Sequence, residues 1–580
     1  MHFLEGLLQL AFVVGNDEFL IIYAFVGAVE VFFGCIELGL ARDVGCKQGL
    51  LVGAKEFLKL FAVSVEARHG FEFSKGFLIL AFESAELGFN ITRERICTSW
   101  LDPETKMIPQ WSLIKIVVIS TVVSMPWADA NRFRINKAKS KENGHPSLLY
   151  PKDTATRELK RLDGVWDFRL APFNNSEIGF TQQWFSQPLR NTGTVLDMPV
   201  PSSFNDITQD RKIRDHVGWV WYETNFIPPQ SWATDSRIVL RFGSVQYLAV
   251  VYLNGNLITT HVGGHLPFES DVTTSLNFGS KNRITVAVNN TLDHNTVPQA
   301  DIYQRPGAEY AVQDLFFDFF NYAGIHRSVI LYRTPQTYIN DVTFVTLEVN
   351  EEQSNAQVSV SVDIRPATTG GLECLLVLED HTGSIAHSTS IDLDAANSVS
   401  FPLTNARFWW PYLMRTDYGY LYQLKLNLQR KSDGLLLDSY DLPVGIRTVS
   451  WNSDQFFINN SPFYFRGFGK HEDYPIRGKG LDWPYIIKDF NLLHWVGANS
   501  FRTSHYPYSE EIVQTADKYG IVIIDEVPAV ALRYFHASVL DVHKQMVAEL
   551  IQRDKNNPSV VMWSLGNECK TAINESQPYF

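Results

Sequence analysis

The residues best able to do chemistry sit together near the end of the sequence. An apolar run, Ser559 to Trp563, gives way to a small-residue turn and then to Asn567 and Glu568. A carboxyl group past a buried strand serves as a general acid when burial or a like charge raises its pKa toward the working pH. Glu568 therefore raises the question of a second carboxylate. Metal chemistry is not suggested. His471, Glu472 and Asp473 are consecutive, and such a run does not converge on one ion; the cysteines show no CxxC spacing. No metal and no cofactor are expected.

The elements that must carry these residues follow from the pattern. After Val449, FYFRGFG, WPYIIKDFNLLHWVG, ANSFRTS, SEEIVQTADKYG, IVIIDEV, HKQMVAELIQRD and SVVMWSLGNE alternate strand with helix. That is the signature of a parallel β/α array. Strands are predicted at about 463–467, 499–502, 521–525 and 560–563, and a helix at 510–519. Glu510 and Glu511 suit the helix's positive end, Lys518 its negative end, and Gly520 its stop. An eight-stranded barrel takes about 250 residues, so 448–580 holds roughly half of one. Chemistry in such barrels sits at the carboxyl ends of strands, where Glu568 stands. Upstream, RLDGVWDFRLAP, SRIVLRFGSVQYLAVVYLNGNLI and NRITVAVNNTL read as short alternating strands of a β-sandwich. QVSVSVDIRP and YLYQLKLNLQR alternate strictly and fit an immunoglobulin-like module over 336–447.

Bulk properties set outer limits. The 580 residues suffice for three or four domains, and a net charge of −13 argues against nucleic acid as a partner. Five cysteines, three of them (Cys35, Cys46, Cys97) in the first hundred residues, do not make a disulfide scaffold. Residues 107–130 carry Lys115, the apolar core Ile116 to Val123, and Ala128-Asp129-Ala130. This is a secretory signal pattern, too short to span a bilayer. Residues 1–106 are an apolar extension with irregular near-repeats, read as translation from an upstream start, with a genuine extension the alternative. No stable membrane span is expected.

Two segments carry a resemblance. NSFRTSHYP, Asn499 to Pro507, followed by Asp517 and GIVII, is similar to one signature of glycoside hydrolase family 2. DKNNPSVVMWSLGNE, Asp554 to Glu568, is similar to the other. LDGVWDFR, MPVPSSFNDI, FDFFNYAG and KHEDYPIRGKGLDWP extend the likeness over about 160–580, toward the glucuronide-cleaving members of that family. The resemblance implies a multidomain β plus α/β chain. Its parts are a jelly-roll β-sandwich binding sugar (131–335), an immunoglobulin-like β-sandwich (336–447) and the N-terminal half of a (β/α)8 TIM barrel (448–580). It implies retaining hydrolysis that releases β-D-glucuronic acid from glucuronides and glycosaminoglycan ends, through two carboxylates about 5–5.5 Å apart. Glu568 is then the acid/base, and Asn567 the ligand of the sugar 2-hydroxyl. His471 and Asp318 contact the sugar, while Arg502 and His505 stand around the nucleophile.

The nucleophile belongs to a later strand in the family, and neither Glu526, which ends the third strand, nor Glu575, in the helix expected after the fourth, matches its motif. The sequence thus reads as a C-terminally incomplete form, and residues 131–580 alone are expected to be inactive. Cys569 stands where the family has Pro, and Asn557 where it has His. Each site residue also has a structural alternative: a surface carboxylate for Glu568, a helix cap for Asn567, a core imidazole for His471, a turn for Asp318, a salt bridge for Arg502 and His505. Sequons at Asn174, Asn289 and Asn459, with weaker ones at Asn90 and Asn574, fit passage through the secretory route. The resemblance adds a lysosomal destination, with secretion the alternative, and a homo-oligomer, a tetramer in the family. Other family 2 β-glycosidases (β-galactosidase, β-mannosidase) and a non-catalytic carbohydrate-binding protein remain alternatives; a later strand ending in a second Glu separates the enzyme readings from the last. N-terminal sequencing of secreted product is expected to begin near Asn131; a product beginning near Met1 contradicts the signal assignment.

Overall fold

The computed structural model describes residues 148–304, 310–366 and 370–580. The expectations for 1–106 and 107–130 and the sequon at Asn90 lie outside them. No helix among the described residues is long and apolar enough to cross a membrane.

The first β domain is two antiparallel sheets packed face to face. One has six strands in the order Leu196–Val200, Gly164–Leu170, Trp219–Phe226, Asn282–Asn289, Leu248–Leu253, Asn256–Val262; the other has four, Glu158–Arg161, Val329–Pro335, Ser236–Phe242, Phe268–Asp271. Phe168, Tyr222, Val251 and Val286 meet Leu240, Phe242 and Leu331 between them. The outer face of the larger sheet, which presents Trp219, Trp221 and Tyr252, is also covered, by Phe180, Trp184 and Phe185. That second layer explains why NRITVAVN is buried nearly throughout rather than alternately.

The second β domain has two sheets of three and four strands. Here one face of each sheet is solvated, and Asn355–Arg365 alternates as its sequence does. Val358, Val360 and Val362 pack against Cys374, Leu376, Leu424 and Leu426.

Four parallel strands, β1 (Gly467–Gly469), β2 (Ser500–Arg502), β3 (Val522–Glu526) and β4 (Val560–Ser564), form the third sheet in sequence order. Helices α1 (Trp483–Trp495), α2 (Glu510–Tyr519) and α3 (Ala537–Asp554) separate them. Phe501 of β2 and Ile523 of β3 join Phe490 of α1 and Ile512 and Ala516 of α2 in one core. Asp482 caps α1 by accepting from the Tyr485 amide at 3.3 Å. Gly520 ends α2 at φ +65°, a backbone state in which a side chain is strained.

Two local expectations are corrected and a third is extended. The first barrel strand is 467–469, not 463–467. Ser461–Phe463 instead pairs antiparallel with Phe456–Ile458, because Phe463 and Phe465 pack with Phe456. Glu510 and Glu511 do begin α2, but both are buried and do more than face its dipole. Glu510 pairs with Arg241 at 3.0 Å, and Glu511 accepts from the Tyr150 hydroxyl at 2.8 Å. No α-helix follows β4 within 569–580, only the turn Asn574–Ser576, where Tyr579 tucks against Phe535 and bonds His543 Nδ1 at 2.9 Å.

The β domains are tied by one buried charge pair. Asp438 is fully buried and accepts from Arg157 Nε (3.1 Å) and Nη2 (2.5 Å), Thr156 Oγ1 (2.7 Å) and the Ile339 amide (2.8 Å). Asp438→Ala leaves the Arg157 guanidinium buried beside no carboxylate. It is expected to destabilise by about 3–5 kcal/mol, read as a lowered urea midpoint; an unchanged midpoint contradicts the role.

Candidate active site

Every site residue named from the sequence except the glycan acceptors lies at the carboxyl end of the parallel sheet or reaches it. Glu568 and Asn567 follow β4, Arg502 ends β2, His505 stands three residues on, and His471 two residues past β1. Asp318 comes from the first β domain, on a loop whose Phe319 ring lies 6.0 Å from His471 and 6.2 Å from His505. Asp318, His471 and His505 place polar atoms within 4.8 Å of one another.

The tip of β4 is zipped onto the loop after β3. Asn567 N donates to Ala529 O (3.0 Å), Ala531 N to Asn567 O (2.8 Å), and Lys570 N to Leu532 O (2.9 Å). The Cys569 thiol donates to Ala529 O at 3.3 Å, which is how this chain holds the turn with Cys in that place. Arg502 Nη2 donates to Asn567 Oδ1 at 3.1 Å. That bond fixes the amide so that its Nδ2 is the free donor. Glu568 is exposed at φ +53°. A non-glycine residue in this region carries strain of order 1–3 kcal/mol, sustained by the pinned residues on both sides.

Glu526 matches no family motif, yet it stands among the residues of this site. It ends β3, is 1% exposed, and has no free face. Ser564 Oγ donates to Oε2 at 2.6 Å, His505 Nδ1 lies 3.0 Å from Oε1, and Arg502 Nε 3.4 Å from Oε2. A carboxylate so enclosed orients its neighbours; it is not placed to attack. A hydrogen bond to Oε1 needs the His505 proton on Nδ1, which leaves Nε2 as the acceptor nitrogen. Arg502 and His505 therefore gather around Glu526 within the described residues. Thr503 links the strand ends, its hydroxyl donating to Asp525 Oδ1 at 3.1 Å and accepting the Glu526 amide at 2.7 Å.

The loops are locked from the first β domain. Arg327, 6% exposed, donates to Glu472 Oε2 (3.0 Å), Pro507 O (2.9 Å) and His265 O (2.5 Å). Glu472 Oε1 also accepts the Ser509 amide at 3.1 Å. The residues beside His471 and His505 are thereby held by one guanidinium. Lys479 stacks its ammonium 3.4 Å from the Tyr506 ring and 4.7 Å from Phe319. Burial pushes this lysine down to about 7. Burial likewise lowers the His471 imidazole, with Asp473 opposing. No sequence pattern signalled Arg327 or Lys479, because their partners are remote in the chain.

The sequons divide. Asn174 and Asn574 are exposed and Asn289 is half-buried, its Oδ1 accepting the Thr291 amide at 2.9 Å. Asn459 is corrected as a glycan acceptor. It is 1% exposed, and its amide is spent on Trp409 O and the Thr448 amide, each at 3.0 Å.

Comparison with known proteins gives a consistent pattern. Residues 159–335 match "Glycosyl hydrolases family 2, sugar binding domain", 337–447 "Glycosyl hydrolases family 2", and 449–578 "Glycosyl hydrolases family 2, TIM barrel domain". Beta-glucuronidase of Mus musculus is 48% identical over 445 residues, 75% of this chain and 67% of that protein. The Homo sapiens protein of the same name is 46% identical over 447 residues, with the same shares. Among solved structures, an uncultured Clostridium sp. beta-glucuronidase aligns at TM-score 0.66 and 44% identity, covering 75% and 71% of the two chains. The Ruminococcus gnavus enzyme in complex with D-glucuronic acid aligns at 0.68 and 37%, with the same coverage.

Asn557 offers a test of the electrostatics beneath the site. Its Nδ2 donates to Asp517 Oδ2 at 2.6 Å, and the Ser559 amide to Oδ1 at 3.0 Å, at the start of β4. Burial pushes the Asp517 carboxyl up to about 6. A raised acid binds more protons folded than unfolded, so its contribution to stability falls as pH rises from about 4 to about 6. Asn557→His places a cation beside it. The melting temperature at pH 5.5 is expected to rise by the equivalent of about 1 kcal/mol, with the gain gone at pH 8, where imidazole is neutral. An equal shift at both pH values contradicts the charge argument.

Proposed function

The chain belongs to glycoside hydrolase family 2, and we propose that it is built to cleave β-glucuronides by the retaining mechanism, with Glu568 as acid/base. One observation carries this: the first β domain delivers Asp318 onto the carboxyl end of a parallel sheet that already presents His471, His505, Asn567 and Glu568. Groups from two domains converging on one cleft make a binding site for a polyhydroxylated ring. The curated relatives and solved structures of 37–48% identity support glucuronide, rather than galactoside or mannoside, as substrate.

The chemistry divides as follows. Asn567, with its carbonyl taken by Arg502, donates Nδ2 to the sugar 2-hydroxyl oxygen, a bond that strengthens as charge develops at the anomeric carbon. His471 and Asp318 hold further hydroxyls. Glu568 donates its proton to the glycosidic oxygen and, in the second half-reaction, takes one from water. The attacking carboxylate stands on a later barrel strand in this reading. Glu526, enclosed and hydrogen-bonded, is not that group. The signal-like segment 107–130 and the exposed sequon at Asn174 support passage through the secretory route, toward the lysosome.

Appending the later barrel strands of the mouse relative to residues 131–580 tests the assignment. The chimera is expected to hydrolyse a fluorogenic β-glucuronide and not the matching β-galactoside. Glu568→Gln should slow alkyl glucuronides, whose leaving oxygen is basic, by about 10²–10⁴-fold and activated aryl glucuronides far less. Equal losses on both classes would show that Glu568 is not the acid.

A further inference from the structure

Three groups at the mouth of the sheet offer ligand atoms to one point. The Asp318 carboxylate and one ring nitrogen each of His471 and His505 lie within 4.8 Å of one another. Zinc binds imidazole nitrogen at about 2.0–2.1 Å and carboxylate oxygen at about 2.0–2.2 Å, so tetrahedral ligands stand roughly 3.4 Å apart. Closing from 4.8 Å to that spacing takes at most about 1.4 Å, within reach of side-chain rotation, and Asp318 is exposed.

The shell behind these ligands is already in place. His505 Nδ1 faces Glu526 Oε1 at 3.0 Å, and Ser564 Oγ fixes the other oxygen of that carboxylate at 2.6 Å. A carboxylate behind an imidazole sets its tautomer and raises the basicity of the outward nitrogen, as it does for metal-bound histidines. His471 Nδ1 is buried with no hydrogen-bond partner among the described residues. Two imidazoles, one carboxylate and open remaining positions match zinc, whereas calcium and magnesium call for mostly oxygen ligands. Asp318, Asp473 and Glu526 outnumber the nearby cations Lys479 and Arg502 by one, so a dication is not repelled.

We propose that Asp318, His471 and His505 bind a divalent transition-metal ion, zinc best among them, and that this ion and the sugar exclude one another. The second clause rests on the function proposed above, which gives the same groups to sugar hydroxyls. Zinc is here a reversible occupant of the cleft and takes no step in hydrolysis.

Calorimetric titration of the untagged full chain with zinc chloride tests both clauses. One binding event is expected to weaken at least about tenfold in Asp318→Asn and in His471→Gln, and about 10–100-fold in Glu526→Gln. Circular dichroism establishes that each variant is folded. The same affinity and stoichiometry in Asp318→Asn and His471→Gln, or no binding to the parent chain, overturns the site. D-glucaro-1,5-lactone separates the metal site from the sugar reading. Displacement of zinc by the lactone supports mutual exclusion. Variant-sensitive zinc binding that ignores the lactone keeps the metal site and overturns the exclusion.

Discussion

The buried pair between Arg327 and Glu472 is the constraint on which the cleft depends. Arg327 belongs to the first β domain, while Glu472 lies beside His471 in the loop after β1. The same guanidinium also takes the carbonyl of Pro507, two residues past His505. A charge taken out of water to this degree is tolerated only where its partner and further hydrogen-bond acceptors are fixed. The pair therefore works as a register pin. It sets where the jelly-roll loop meets the sheet, and so where Asp318 meets His471 and His505. Lys479, lying over Tyr506 and Phe319, makes a second contact of the same kind.

A second layer of carboxylates prepares the first. Glu526 orients His505 and Arg502; Arg502 orients Asn567; Asn567 and Cys569 lock the turn bearing Glu568 to the loop after β3. An apolar β4 ends in an amide and an acid because the strand supplies rigidity while its tip supplies donors. The left-handed backbone at Glu568 fits this picture, since strain of this sort persists only where neighbours over-determine the conformation.

Much of this was legible in the sequence. Period-2 alternation in 355–365 survives into the structure because that strand has one wet face, so hydrophobicity alone fixes its orientation. The helix at 510–519 is bounded by local signals, two acids and a glycine, and forms where they stand. Glu568 and Asn567 could be singled out because the strand, turn and acid are contiguous. Legibility failed where a second surface entered. NRITVAVN lost its alternation to an outer tryptophan layer. The first barrel strand moved because Phe463 and Phe465 found an aromatic cluster below the sheet. Asn459, a sequon by its letters, is a buried amide serving the Trp409 carbonyl.

The sequence by itself determined the order of domains, the strand–helix alternation and the place of Asn567 and Glu568 just past the fourth barrel strand, since each is written in neighbouring residues and in the short-range sterics and burial of the chain. Tertiary structure alone decided the rest: that Asp318 and His471, far apart in sequence, share one cleft; that Glu526 is enclosed by His505, Arg502 and Ser564; that Arg327 and Lys479 hold the loops. These facts depend on directions and distances between elements whose separation in the chain exceeds any periodicity, and only packing of the two domains against each other assigns them.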